Sequence, residues 1–228
     1  MQMAEHWDTA QVYEADHWTR FIENCKEGGE RHWLDLWAPQ AKLIIRILLE
    51  YNRMHPFMRV LEIGGGAIGH IRWFPIGELV AIDSLGVIFE REFPNLDVEE
   101  YNLRPDVNYI AYRAEDMPIS INDHFGVVLM LNALDHCDSP LRVMSEINRV
   151  IKPDGWLFES TTVFDTDAAK RDREYTKMHP HVFVGQRSLL KFIESCGFLQ
   201  INVPITQEWV GESGPHYDQV LHIWRKGW

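Results

Sequence analysis

The chain contains Gly64-Gly65-Gly66-Ala67-Ile68-Gly69 directly after the apolar run Val60-Leu61-Glu62-Ile63. A buried strand that enters a glycine-rich turn allows a ligand to come close to the main chain, because glycine reaches backbone angles that side chains resist. The free N–H groups of a following helix would favour an electron-rich ligand group there. Gly64-x-Gly66-x-x-Gly69 also satisfies the dinucleotide fingerprint, although the same glycines serve a plain strand-to-helix turn. Asp83 ends a second apolar run about twenty residues further on, where a carboxylate can accept hydrogen bonds from a pair of ribose hydroxyls. Asp83-Ser84 equally suits a helix cap.

Further groups could do proton chemistry. Asp135-His136 follows the apolar run Phe125–Leu131. An imidazole titrates near neutral pH, so His136 is a candidate general base, with Asp135 to orient it or a substrate. His179-x-His181 could present two metal ligands on one face of a strand. No further ligand stands at a recognisable spacing, so no metal is expected. Near the N-terminus, Tyr13 and His17 lie in a segment rich in Trp and His, and are candidates for substrate contacts if that segment forms a lid; the other reading is that these aromatics are core.

Periodicity supplies the elements that would position these residues. Trp18, Phe21, Ile22 and Cys25 fall on one helical face, and Gly28-Gly29 breaks that helix. A second helix is expected from Pro39, carrying Leu43, Ile44, Ile47, Leu48 and Tyr51. From residue 58 short apolar runs alternate with helical periods. Strands are expected over 59–63, 79–82, 107–112, 125–131, 156–161, 198–203 and 219–224. A helix with Leu141, Met144, Ile147 and Ile151 starts at the Ser139-Pro140 cap and stops at Pro153-Asp154-Gly155, and another carries Leu189, Phe192, Ile193 and Cys196. Such alternation predicts a largely parallel sheet with helices on both faces.

These segments together resemble the class I S-adenosylmethionine-dependent methyltransferases, in the small-molecule branch related to ubiquinone-biosynthesis enzymes. Glu62-Ile63-Gly64-Gly65-Gly66 resembles the loop that holds the methionine part of the cofactor. Ala81-Ile82-Asp83 resembles the ribose-binding strand end. Ala114-Glu115-Asp116-Met117-Pro118 resembles the loop that contacts adenine, and Phe125–His136, with Asn132 lining the site, resembles the fourth motif. Glu146–Gly155 and His179–Phe183 are also similar to stretches of this branch. The resemblance spans roughly residues 58 to 225. The chain departs from it at Ile68 (a third glycine in the family), at Arg113 (often Asp) and at Asp135 (usually Glu), and the second departure leaves open whether Glu115 or Asp116 faces the adenine amine.

The resemblance implies a Rossmann-like α/β fold with a seven-stranded, mostly parallel sheet whose last strand is antiparallel. Residues 1–56 would be an N-terminal helical extension or lid, and residues 57–228 the methyltransferase domain. It implies S-adenosylmethionine as cofactor, held by Glu62, Gly64, Gly65, Gly66, Asp83, Ala114, Glu115, Asp116 and Asn132, and a small-molecule acceptor methylated on oxygen or nitrogen. Two other readings remain: a nicotinamide-dependent oxidoreductase, and a methyltransferase-like protein that binds cofactor without transferring methyl. Against the first, Tyr175-Thr176-Lys177 lacks the spacing of a short-chain dehydrogenase pair.

Bulk properties agree. The 228 residues are 46% hydrophobic and carry a net charge of -12, and mean hydropathy is -0.25. An acidic surface repels phosphate backbones, so a nucleic-acid partner is not expected. Apolar runs such as Leu43–Leu49 are too short to span a bilayer. Three scattered cysteines (Cys25, Cys137 and Cys196) argue against a disulfide framework and for a cytoplasmic location.

Overall fold

A computed structural model describes residues 2–26, 31–66, 69–86, 106–120, 122, 124–165, 179–203, 213–214 and 217–227. Gly28-Gly29, Ala67-Ile68 and Tyr175–Lys177 lie outside the described residues, as do the side chains of Ile22 and Cys25.

Two helices open the chain, α1 (Gln2–Lys26) and α2 (Arg31–Glu50). Pro39 sits inside α2 rather than at its first turn, where it removes one main-chain hydrogen bond without ending the helix. Four parallel strands follow: β1 (Arg59–Ile63), β2 (Glu78–Asp83), β3 (Asn108–Ala111) and β4 (Phe125–Leu131). Helix α3 (Pro140–Val150) starts where the Ser139-Pro140 signal places it, with Ser139 Oγ accepting from the Arg142 N–H at 3.4 Å. Strand β5 (Ile151–Ser160) comes next, and the short β6 (Thr162–Phe164) and β7 (Phe183–Val184) lead to α4 (Gln186–Ser195). The remaining strands are β8 (Phe198–Ile201), β9 (Ser213–Gly214), β10 (Tyr217–Gln219) and β11 (His222–Lys226).

The main sheet has seven strands in the order β3-β2-β1-β4-β5-β11-β8. Strand β11 runs antiparallel to both of its neighbours, as expected for the last strand. Two cores flank the sheet because residues along each strand alternate faces. On one face, Leu61, Val128 and Leu157 meet Val143, Met144 and Ile147 of α3 and Leu189 and Ile193 of α4. On the other, Val60, Leu129 and Phe158 meet Leu43, Ile44, Ile47 and Leu48 of α2. The α/β architecture with helices on both faces is therefore present, and α2 forms one of its layers.

Three details depart from the periodicity reading. Strand β5 begins at Ile151, opposite Phe125, and its register then jumps so that Val127 faces Trp156. Lys152–Gly155 thus make a bulge within the strand, with Asp154 at φ 60°, instead of a terminator before it. The run expected over 219–224 divides into β10 and β11. Strands β6, β7, β9 and β10 form a second, four-stranded sheet whose members are two or three residues long, too short to carry a period.

Candidate active site

The carboxyl ends of the parallel strands finish level with one another. Ile63 lies opposite Ile82, Asp83 opposite Ala111, and Leu131 opposite Ser160. The ladder continues one step further: Gly64 N–H donates to Ile82 O at 2.9 Å, Tyr112 N–H to Asp83 O at 3.2 Å, and Asn132 N–H to Ser160 O at 2.5 Å. The sequence-predicted residues of the glycine loop, Asp83 and Asn132 therefore share one edge, the place where open α/β sheets bind ligands.

The turn after β1 requires glycine. Gly64 and Gly66 have φ of 66° and 62°, and a Cβ at Gly64 would stand 2.5 Å from the Cβ of Ala133. Glu62 is buried beneath the turn. Its carboxylate accepts from the N–H groups of His70 (2.8 Å) and Ile71 (2.9 Å), and His70 Nε2 reaches Gln40 of α2 at 2.7 Å. Glu62 thus holds the loop's own main chain. Asp83 Oδ2 accepts from Gly66 N–H at 3.0 Å and Oδ1 from Leu85 N–H at 2.9 Å, so it links the glycine turn to the end of β2 and also caps its own turn. Burial, reinforced by the charges of Glu14 and Glu62 against those two hydrogen bonds, pushes the Asp83 carboxyl up to about 6.

The loop at Ala114–Asp116 settles the orientation of its two acids. Glu115 is buried and accepts from the N–H groups of Asp138 (2.8 Å) and Ser139 (3.2 Å). Asp116 is exposed and pairs with Arg142 at 2.6 Å. Arg113 bridges Asp138 at 3.1 Å and Glu115 at 3.6 Å.

Asn132 has φ 52°, a left-handed conformation that asparagine tolerates better than most residues. Its Oδ1 accepts from Gln219 Nε2 at 2.6 Å and from Thr162 Oγ1 at 3.2 Å. The second sheet thereby fastens onto the end of β4. Neither Thr162 nor Gln219 stands in a motif; only their pairing across β6 and β10 brings them here.

Asp135 and His136 occupy a 3₁₀ turn after β4, but they are not partners. Asp135 is wholly buried, with Oδ2 2.8 Å from His179 Nδ1. His136 Nδ1 lies 2.9 Å from Glu14 Oε1 of α1, an ion-pair contact without the alignment of a good hydrogen bond. The two imidazoles lie against each other with centroids 4.1 Å apart. Asp135, His136 and His179 each turn one ligating atom to within 4.8 Å of the others, a convergence that the sequence spacing does not disclose. His181 sits apart from it, with Nε2 2.9 Å from Asp138 O. Burial would lower the His136 pKa, but Glu14 and Asp135 outweigh it and raise the imidazole to about 9.

Helix α1 lies across this edge. Gln11 accepts from Ser84 Oγ at 2.5 Å, Glu14 meets His136, and the Trp18 indole rests on Gly66, 2.4 Å from where a Cβ would stand. Trp18 also packs on Phe21 and Trp37, with centroids 5.2 and 6.1 Å away, so this aromatic group is at once core and cover. Tyr13 is 40% exposed and His17 is exposed; Glu14, between them, is the residue that reaches His136. Gln11, Glu14 and Trp18 follow the i, i+3, i+7 spacing of one face, which a search for apolar periodicity passes over because two of the three are polar.

The sequence profile of a family described as "Methyltransferase domain" matches residues 61–158. The ubiquinone biosynthesis O-methyltransferase of Thiobacillus denitrificans is 30% identical over 104 residues, which are 45% of this chain and 44% of that protein. Its counterpart from Neisseria meningitidis serogroup A is 27% identical over 88 residues, 39% of this chain and 33% of that protein. The chain thus spans less than half the length of these curated relatives. Among solved structures, the 1,6-didemethyltoxoflavin-N1-methyltransferase of Burkholderia thailandensis, crystallised with 1,6-didemethyltoxoflavin and S-adenosylhomocysteine, is similar with a TM-score of 0.59 and 18% identity, over 95% of this chain and 90% of that one. That likeness is one of fold.

Proposed function

We propose that the chain, whose residues 61–158 match the methyltransferase-domain family, is a class I S-adenosylmethionine-dependent methyltransferase that transfers a methyl group from S-adenosylmethionine to a small-molecule acceptor. The observation that carries this reading is the hydrogen bond between Gly66 N–H and Asp83 Oδ2. It puts the glycine turn, which Trp18 covers at Gly66, beside a carboxylate with acceptor capacity left for two hydroxyls. Gly64, Gly65 and Gly66 would line the methionine part of the cofactor and Asp83 the ribose. With Glu115 turned inward and Asp116 on Arg142, Ala114 is left to meet the adenine through its main chain. Glu62 serves by holding the turn. Asn132 borders the acceptor side, and residues 1–56 form the extension whose α1 covers the domain of residues 57–228.

When bound, the cofactor would supply a methyl group already activated on a sulfonium. The protein's own work is then alignment and exclusion of water. Trp18 and α1 close the edge of the sheet. Glu14 and Asp135 raise the His136 imidazole to about 9, which favours its protonated form as a hydrogen-bond donor to an acceptor oxygen that has already lost its proton to solvent. Asp135 orients His179, which backs the His136 ring. The curated relatives, named as O-methyltransferases, favour oxygen as the methylated atom, with nitrogen the alternative. The net charge of -12 supports a small-molecule substrate over nucleic acid, and the scattered cysteines support a cytoplasmic location. No helix among the described residues is long and apolar enough to cross a membrane.

Calorimetric titration with S-adenosylmethionine, S-adenosylhomocysteine, NAD and NADP tests the proposal. Micromolar binding of the sulfur compounds alone supports it. Binding of a nicotinamide cofactor instead, or of none of the four, overturns it.

A further inference from the structure

The acceptor side of the site draws its charge from a helix that lies far from it in sequence. Glu14 stands on α1, 122 residues before His136, yet its carboxylate is the nearest anionic group that the described structure places on His136 Nδ1. The groups facing this imidazole come from four elements: Glu14 from α1, Asp135 from its own turn, Asp83 from the end of β2, and His179, whose tilted ring lies against it from the segment before β7. Of these, Asp135 is committed to His179 at 2.8 Å and Asp83 to Gly66 and Leu85. Glu14 has His136 as its paired group, and its helix is anchored on either side, one turn before by Gln11 at Ser84 and one turn after by Trp18 on Gly66.

We infer that Glu14 is a positioning residue for His136: its carboxylate fixes Nδ1 of the ring and so leaves Nε2 as the nitrogen available to an acceptor. The inference rests on the methyltransferase reading for its purpose but not for its geometry. A carboxylate 2.9 Å from Nδ1 favours one orientation of a protonated imidazole, and a charge held in that way favours acceptors that react through an anionic or acidic oxygen, such as a phenol or an enol. Two titrations record the pair. Burial would raise the Glu14 carboxyl, but the charge on His136 holds it below the usual carboxylate range, while Glu14 in turn raises His136.

The test is an NMR titration of the cofactor-free protein, with His136 assigned by its loss in His136→Asn. In the wild type His136 should titrate near 9. Glu14→Gln should bring it to about 7 or below, nearer the ordinary ~6.5, and Glu14→Asp should restore most of the elevation. An unchanged His136 titration in Glu14→Gln, or no recovery in Glu14→Asp, overturns the inference. Should Glu14→Gln lose its cooperative melt, the reciprocal measurement decides: the Glu14 carboxyl should rise in His136→Asn, and an unmoved Glu14 overturns the inference. S-adenosylhomocysteine affinity is measured on the same samples. Failure of the wild type to bind S-adenosylhomocysteine would sink the methyltransferase reading while leaving the His136 titration to speak for itself.

Discussion

Asp135 pairs with His179, 44 residues away, and not with His136, its neighbour in the chain. A carboxylate and imidazole that adjoin in sequence thus belong to two separate pairs, Asp135–His179 and Glu14–His136, whose rings touch at a tilt of 53°. The arrangement spreads one polar cluster over α1, the turn after β4 and the segment before β7.

Breaking the buried member should be costly. Asp135→Asn is expected to destabilise the fold by roughly 2–4 kcal/mol at pH 7, because it leaves His179 without its charge partner in a buried place. Burial alone would raise the Asp135 carboxyl, but His136 and His179 together hold it below its ordinary value. The contribution of such a group is present above the unfolded-state pKa and is lost as pH falls through the folded one. Urea unfolding of wild type and variant should therefore show a gap at pH 7 that narrows in acid.

Two glycines with similar backbones separate conformation from contact. Gly64→Ala combines φ 66° with a Cβ 2.5 Å from that of Ala133, whereas Gly185→Ala combines φ 74° with nothing within 4 Å. The second should cost about 1 kcal/mol and the first about 2–4 kcal/mol. Thermal melts should rank them in that order, and Gly64→Ala should also weaken S-adenosylhomocysteine binding, which Gly185→Ala should spare.

Cofactor affinity should depend on pH through Asp83. The carboxyl titrates near 6, and only its ionised form offers both oxygens to ribose hydroxyls. S-adenosylhomocysteine affinity is therefore expected to be level above about pH 7 and to fall progressively below pH 6. Asp83→Ala should bind at least tenfold more weakly at pH 7.5, the loss of a charged hydrogen-bond partner being worth ~1.5–3 kcal/mol, and should lose most of the pH dependence. Calorimetry from pH 5 to 8 reads both effects.

Glu159, on the strand next to the one that leads into Asp135, shifts in the opposite direction to Asp135. It is fully buried at the end of β5 and hydrogen-bonded by Thr161. Its second oxygen, Oε2, has no hydrogen-bond partner among the described residues. Burial pushes it up to about 8 against the Thr161 hydrogen bond, with Asp135 adding to the rise. A folded-state pKa above the unfolded one makes stability fall as pH rises between the two. Glu159→Gln should remove that decline, melting higher than wild type at pH 8.5 and close to it near pH 4.5.

The sequence disclosed the parts of this site that are local along the chain. The glycine turn, Asp83 at the end of β2 and Asn132 at the end of β4 each sit at the junction of an apolar run and a turn, and one window of residues reveals them. Glu14, Thr162 and Gln219 stayed hidden because their roles come from register between distant segments, and because strands as short as β6 and β10 leave no alternation to detect. The inward turn of Glu115 was hidden for a related reason. Its partners are the main-chain N–H groups of Asp138 and Ser139, and no residue type announces a main-chain donor. Tyr13 and His17 share α1 with Glu14 and are exposed, and composition cannot tell which face of a helix turns inward.

Strand β11 follows β5 and β8 in the chain but lies between them in the sheet. During synthesis, β5 must therefore wait for it with one edge open, and β8, whose partner in the main sheet is β11, with both edges open to pairing with a second molecule. Gln219, only three residues before β11, arrives in the same step and closes onto Asn132. Assembly of the sheet and closure of Gln219 onto Asn132 thus become a single late event, and a nascent chain lacking that strand would be both incomplete at this edge of the sheet and prone to aggregate.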